Sequence, residues 1–277
     1  MNTIKNSIKS IIYINLQWVL LLAAIFISPS CNEDFLYKQP KGVVFTDALN
    51  SKTGIDLLLT GAYAAVTGAA STTNQNMSGS ASSRNWVWDC ASDNAYKGTT
   101  FSDTYDVGLI ERYEAPNTSD WVRGKWFVSY DGISRANDLL KTLSVVKDKL
   151  DPAYAVQIEA QAKFLRGWWH FRLQKVFWQI PYITEDVVPE KVKNDHAVWP
   201  EIEKDLQFAI DNLPDSWPGE PGKATKWAAM AYKAYVHLYQ HEYSEAKVLL
   251  DAIINSNKFD LVTKYRDNFD PNTENNK

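Results

Sequence analysis

Few side chains in this chain are equipped for chemistry, and most of those lack a companion. His237 and His241 are four residues apart, so a helix through both would place the two imidazoles on one face, as zinc ligands require. The sequence indicates no third ligand, and a helix end is also where the dipole favours histidine. His170 lies in the most apolar stretch and reads as a hydrogen-bonded core residue. Glu111 and Glu114 are a carboxylate pair of the type glycosidases use, but spacing along a loop says nothing about separation in space, and surface charge is the simpler reading. No Gly-x-Ser-x-Gly elbow, Walker loop or Gly-x-Gly-x-x-Gly fingerprint occurs. The expectation is a non-enzyme with no cofactor and no metal centre.

Binding chemistry is better represented. Between Gly68 and Asp120 aromatic residues accumulate without helical spacing, Trp86, Trp88, Tyr96, Phe101, Tyr105 and Tyr113, with Trp121 directly after. The alternation Trp86-Val87-Trp88 places both indoles on one side of an extended segment. Arg84, Asp89, Asp93, Asn94 and Lys97 surround them with hydrogen-bonding groups. Flat apolar faces rimmed by planar polar groups suit sugars, which stack their C–H faces and bond through their hydroxyls. The candidate ligand set is Arg84, Trp86, Trp88, Asp93, Asn94 and Tyr96. The same aromatics serve equally well to anchor the insert to its scaffold.

Cys31 is the remaining reactive group. Lys5 and Lys9 precede an uncharged apolar stretch from Ile11 to Ile27, which stops at Ser28-Pro29-Ser30-Cys31. That pattern reads as a bacterial lipoprotein signal over residues 1–30, with Cys31 acylated after cleavage. Ser28 stands where such signals usually carry Leu. Ordinary secretory cleavage and an uncleaved membrane anchor remain as alternatives, the apolar run being at the short end of a span. Cys90 then has no partner and reads as a small buried hydrophobe.

The chain of 277 residues carries 29 Lys and Arg against 33 Asp and Glu, a net charge of −4. No basic face is implied, which argues against nucleic acid as a partner. Eleven Trp, 14 Tyr and 11 Phe suit a thick helical core, a recognition surface, or both.

Helical spacing organises the rest. Ile55, Leu58, Leu59, Ala62, Tyr63 and Val66 mark one helix. The pattern resumes from Trp126 through Tyr130, Ile133 and Leu140. Asp151-Pro152 caps a long helix whose stripe runs Ile158, Ala162, Leu165, Trp169, Leu173 and Val176, with Pro181 as its stop. Phe164, Trp168 and Phe171 widen that stripe until the helix must be buried on most sides. Ile202, Leu206, Ile210 and Leu213 form the next. A hairpin follows, one helix through Ala228, Ala231, Tyr235 and Leu238, the second capped by Ser244 and lined by Ala246, Leu249, Leu250, Ile253 and Ile254. Small Ala234 and Ala246 allow the close approach typical of a tetratricopeptide pair. The 152–178 and 199–213 helices form a second such pair, and the outer face bearing Ile253 and Ile254 should be partly uncovered. The fold class is mainly α, a tetratricopeptide-like helical-repeat scaffold with an irregular aromatic-rich insert at about 68–120.

Six segments together resemble the SusD/RagB family of outer-membrane nutrient-binding lipoproteins: Cys31-Asn-Glu-Asp-Phe-Leu36 with Pro40; Leu58-Leu-Thr-Gly-Ala-Tyr63; Tyr130-Asp-Gly-Ile-Ser-Arg-Ala-Asn137-Asp-Leu-Leu140; Ala160 to Arg166 followed by Trp168-Trp169-His-Phe171 and Ile180-Pro181; Glu203-Lys-Asp205-Leu206 with Leu213-Pro214; and Gly222-Lys-Ala-Thr-Lys226 leading into Ala228-Ala229. Gly167, Trp178 and Trp227 depart from the family pattern. The resemblance implies a non-catalytic binder of oligosaccharide or polysaccharide, with peptide possible, that delivers its ligand to a SusC-like TonB-dependent transporter. It also implies a surface-exposed protein, held at the outer membrane by lipid on Cys31. Residues 31–277 then correspond to the family's N-terminal helical half, the C-terminal half being absent. A generic peptide-binding helical-repeat scaffold is the alternative.

Overall fold

The computed structural model describes residues 49–67, 86–98, 100 and 102–270, and every regular element among them is helical. The elements are α1 (Lys52–Thr67), α2 (Trp86–Asp89), α3 (Tyr105–Glu111), α4 (Asp120–Val146), α5 (Pro152–Phe177), α6 (Trp199–Asn212), α7 (Lys226–Tyr239) and α8 (Tyr243–Asn255). Successive long helices pack on one another, α4 on α5, α5 on α6, α6 on α7 and α7 on α8, while α1 lies against α4. Both expected helix pairs form. Ala234 and Ala246, both fully buried, sit at the α7–α8 contact.

α5 is the axis. Asp151 Oδ1 accepts the Tyr154 N–H at 2.8 Å, and Pro152 occupies the first turn, where its missing N–H costs nothing. Apolar residues occur around its whole circumference, and Ala160, Leu165, Trp169, Phe171 and Leu173 are all buried. The helix ends at Phe177, four residues before the proline expected to stop it, because Trp178 turns left-handed at φ 64°. Gln174 fixes this exit, donating to the Trp178 carbonyl and accepting the Val198 N–H at 3.1 Å.

α4 begins at Asp120, a turn and a half earlier than the apolar spacing suggested. Its first turn serves a different core: Trp121 packs with Cys90, Val107 and Ile110 of the insert, so its phase does not match the main seam. Cys90 is buried, as expected for a small hydrophobe. Farther along, Gly132 allows α4 to approach the Trp169 indole so closely that an added Cβ would lie 2.2 Å from it.

Ser244 does not cap α8. The helix starts at Tyr243 with Glu242 in the cap position and no side-chain cap, because the preceding turn is compressed: the Glu242 N–H returns to the His237 carbonyl at 2.9 Å and His241 is left-handed at φ 62°. The outer face of α8 is uncovered as expected, with Ile254 71% exposed and Ile253 half-buried.

Candidate functional site

The insert contributes two short helices and an irregular stretch. Trp86–Asp89 is a single helical turn, which corrects the extended segment read from Trp86-Val87-Trp88. Residues two apart in a helix are turned by about 200°, so positions 86 and 88 do not share a side. Trp88 is half-buried against Cys90, Val107 and Ile110, and its Nε1 is buried with no acceptor among the described residues. It backs the insert's own small core. Asp93, Asn94 and Tyr96 are exposed, Tyr96 at 79%. Lys97 ties this stretch down, its N–H donating to Glu111 at 3.4 Å and its Nζ to the Thr100 carbonyl at 2.9 Å. Arg84 and Cys31 lie outside the described residues, and of Trp86 only the helical backbone is described.

The largest polar construction is one the sequence did not announce. Arg166, buried in α5, grips Asp205 of α6 in a bidentate pair, Nε to Oδ2 at 2.6 Å and Nη2 to Oδ1 at 2.8 Å. Its Nη1 donates to Asn137 Oδ1 at 3.2 Å and to Glu185. Burial opposes the Arg166 charge, but the bonds and charge of Asp205 outweigh it and raise its pKa. The Tyr182 hydroxyl also donates to Asp205, and its ring stacks on His170 at 4.0 Å between centroids.

His170 is a core residue, as its setting in the sequence suggested. Nδ1 faces the Arg166 carbonyl at 2.9 Å and Nε2 faces the Ile183 N–H at 3.1 Å, which assigns the proton to Nδ1. Burial, with Arg166 nearby, pushes its pKa down to about 3, so the ring is neutral. The whole network pins residues 181–185, which run back across the helices: Tyr130 donates to the Pro181 carbonyl at 2.8 Å and Asn137 to the Ile183 carbonyl at 3.0 Å.

That pinned segment forms one wall of a groove along α4, a cavity of about 430 Å³. Trp126, Tyr130, Ser134, Asp138 and Lys141 line the helical side at spacings of four, four, four and three, one face of one helix. Pro181, Ile183 and Thr184 line the other. The Trp126 ring lies edge-on to Phe177 at 5.0 Å, which holds it in place. Trp126 and Tyr130, which the helical spacing assigns to the core, pack against it and also line the groove; the four-residue step that carries them on to Ser134 and Asp138 is the signal for this face.

The two histidines proposed as a face are separated. α7 ends at Tyr239, so His241 lies in the turn and meets the Tyr243 hydroxyl at 2.9 Å. His237 instead meets Glu242 through Nδ1 at 2.6 Å and faces Glu203 at 4.0 Å through Nε2, while Gln240 holds the other Glu203 oxygen at 2.7 Å. Both ring nitrogens face carboxylates, but only Nδ1 is within hydrogen-bonding distance; the Nδ1–Glu242 and Gln240–Glu203 bonds close the α6–α7–α8 corner.

Comparison with known proteins places this geometry. A family model described as "Starch-binding associating with outer membrane" matches residues 34–238. A SusD-like protein of Formosa agariphila is 27% identical over 161 residues, which is 56% of this chain and 30% of that one. Surface glycan-binding protein A from Bacteroides fluxus superposes with a TM-score of 0.70 at 24% identity, over 81% of this chain and 48% of that one. The homonymous protein from Bacteroides thetaiotaomicron, solved in complex with laminarihexaose, gives 0.66 at 22% identity over 80% and 47%. The chain thus spans about a third of the length of that curated relative and about half that of the solved structures.

Proposed function

Because the chain belongs to the SusD-like family, we propose that it binds glycan at the outer-membrane surface and passes it, without catalysis, to a SusC-like TonB-dependent transporter. The family match over residues 34–238 carries this reading, since its description is one of starch binding and names no reaction. The laminarihexaose complex of the Bacteroides thetaiotaomicron relative supports a glycan over a peptide.

The insert is the first place to expect ligand contact. Tyr96 presents an exposed ring beside the exposed amide of Asn94 and carboxylate of Asp93, which provides one stacking surface and planar hydrogen-bonding partners. Arg84 and Trp86 complete the proposed set, while Trp88 supports it from the insert's small core. Lipid on Cys31, following removal of residues 1–30, would hold the site at the membrane; Cys31→Ser is expected to abolish palmitate labelling and release the protein.

Affinity electrophoresis and calorimetry against neutral polysaccharides test the site. A shallow open platform is expected to bind at about millimolar Kd, near −4 kcal/mol. Tyr96→Ala should weaken binding at least severalfold with an unchanged melting temperature. Trp88→Ala should instead lower the melting temperature, because it backs the insert's small core. Binding by Tyr96→Ala, Asp93→Ala and Asn94→Ala indistinguishable from the parent would remove the insert from the site.

A further inference from the structure

We infer that the groove along α4 is a second glycan subsite, built for a short neutral oligosaccharide lying along the helix from Trp126 to Lys141. The inference rests on the glycan-binding reading above and adds a place and a ligand character to it. Four features of the groove point there.

The first is volume. About 430 Å³ falls within the ~300–1,000 Å³ of small-molecule sites, and the walls are fixed before any ligand arrives. Residues 181–185 are held from four sides, by Tyr130, Asn137, His170 and Arg166, so a ligand would not have to order them. The second is shape. Residues 126 to 141 span about 22 Å of helix at 1.5 Å per residue, so the groove is long, and a linear chain fits it better than a compact metabolite.

The third is the distribution of chemistry. Trp126 and Tyr130, half-buried with rings in tilted contact at 4.9 Å, give one end an aromatic floor. Toward the other end come two hydroxyls, a carboxylate and an ammonium, on Ser134, Thr184, Asp138 and Lys141. Among the described residues these four side chains have no hydrogen-bond partner, whereas the neighbouring Asn137 and Glu185 are already spent on Arg166 and Ile183. Free donors and acceptors beside an aromatic surface match a ligand with apolar ring faces and hydroxyl edges.

The fourth is charge. Arg166 faces two carboxylates, Asp205 and Glu185, which leaves one negative charge in excess, while Asp138 and Lys141 on the α4 side balance each other. The groove therefore carries about one net negative charge, which repels a sulfated or uronic chain and leaves a neutral sugar chain as the better fit.

Ser134 and Asp138 are solvent-facing, so they can be changed without disturbing the core. The experiment titrates laminarihexaose and maltohexaose into the parent, Ser134→Trp, Asp138→Ala and Tyr96→Ala by calorimetry, with thermal melts alongside. Ser134→Trp fills the groove and should weaken binding at least tenfold; Asp138→Ala should weaken it about three- to tenfold, both with the parent's melting temperature. If the parent binds and both groove variants match it while Tyr96→Ala fails, the insert reading stands and the groove inference falls. If the parent binds neither sugar, both fall together. Tighter binding of a sulfated or uronic oligosaccharide would overturn the neutral-ligand assignment, and so would competition from an extended peptide.

Discussion

Removing the carboxylate of Asp205 is the sharpest perturbation of this molecule. Arg166 would lose two charge-assisted hydrogen bonds, at 2.6 and 2.8 Å, and the Tyr182 hydroxyl would keep only the Glu201 carbonyl at 3.2 Å. Hydrogen bonds to charged groups contribute about 1.5–3 kcal/mol each, so the two bonds alone suggest about 3–6 kcal/mol. Arg166 keeps Glu185 and Asn137, which limits the penalty of stranding its charge. The expected cost of Asp205→Ala is therefore about 3–5 kcal/mol, in line with breaking a buried ion pair. For a chain of this size that corresponds to a melting temperature lower by roughly 6–20 °C. Urea unfolding at pH 7.5, followed by circular dichroism, gives the free energy directly. The paired replacement Arg166→Met with Asp205→Leu should cost less than the sum of Arg166→Met and Asp205→Leu measured singly, because neither member of the buried pair is then left facing an absent partner, and only the more exposed Glu185 loses a bond. A loss below about 1 kcal/mol for Asp205→Ala would refute the reasoning, as would a double variant costing the sum of its parts. Asp205→Ala should also loosen residues 182–185 and with them the wall of the α4 groove.

Two further outcomes follow from the core. The folded-state pKa of His170, pushed down to about 3, lies below its unfolded value near 6.5, so its contribution is fully present above pH 6.5 and lost as pH falls toward 3. The slope is about 1.4 kcal/mol per pH unit, or roughly 2 kcal/mol between pH 6.5 and 5; urea melts at pH 7.5 and 5 should show it, and His170→Gln should lack that component. Gly132→Ala places a Cβ 2.2 Å from the Trp169 indole, which is 1% exposed and has nowhere to retreat. Overpacking costs about 1–3 kcal/mol or more against a gain of about 1 in helix propensity, so a net loss of about 1 kcal/mol or more is expected. Adding Trp169→Leu should recover part of it in a double-mutant cycle; a neutral or stabilising Gly132→Ala would show that the helices give way.

The sequence by itself determined the helices and their pairing. The stripe Ile158, Ala162, Leu165, Trp169 and Leu173, and the small pair Ala234 and Ala246, act through spacing along one element, and helical periodicity is a local property. The cap at Asp151-Pro152 was legible for the same reason. Boundaries set by distant partners were not: α4 starts early because Trp121 serves the insert's core, and α5 stops early because Gln174 holds Trp178 and Val198 together. The tertiary structure alone decided which polar groups meet. Arg166 and Asp205 are 39 residues apart and look like ordinary surface charge in a sequence; two packed helices turn them into a buried pair. The same packing parts His241 from His237, which meets Glu242 instead, and sets residues 181–189 opposite the Trp126–Lys141 face to make a groove. Spacing fixes what lies on one face of one helix, whereas a site between elements depends on long-range closure that no local pattern encodes.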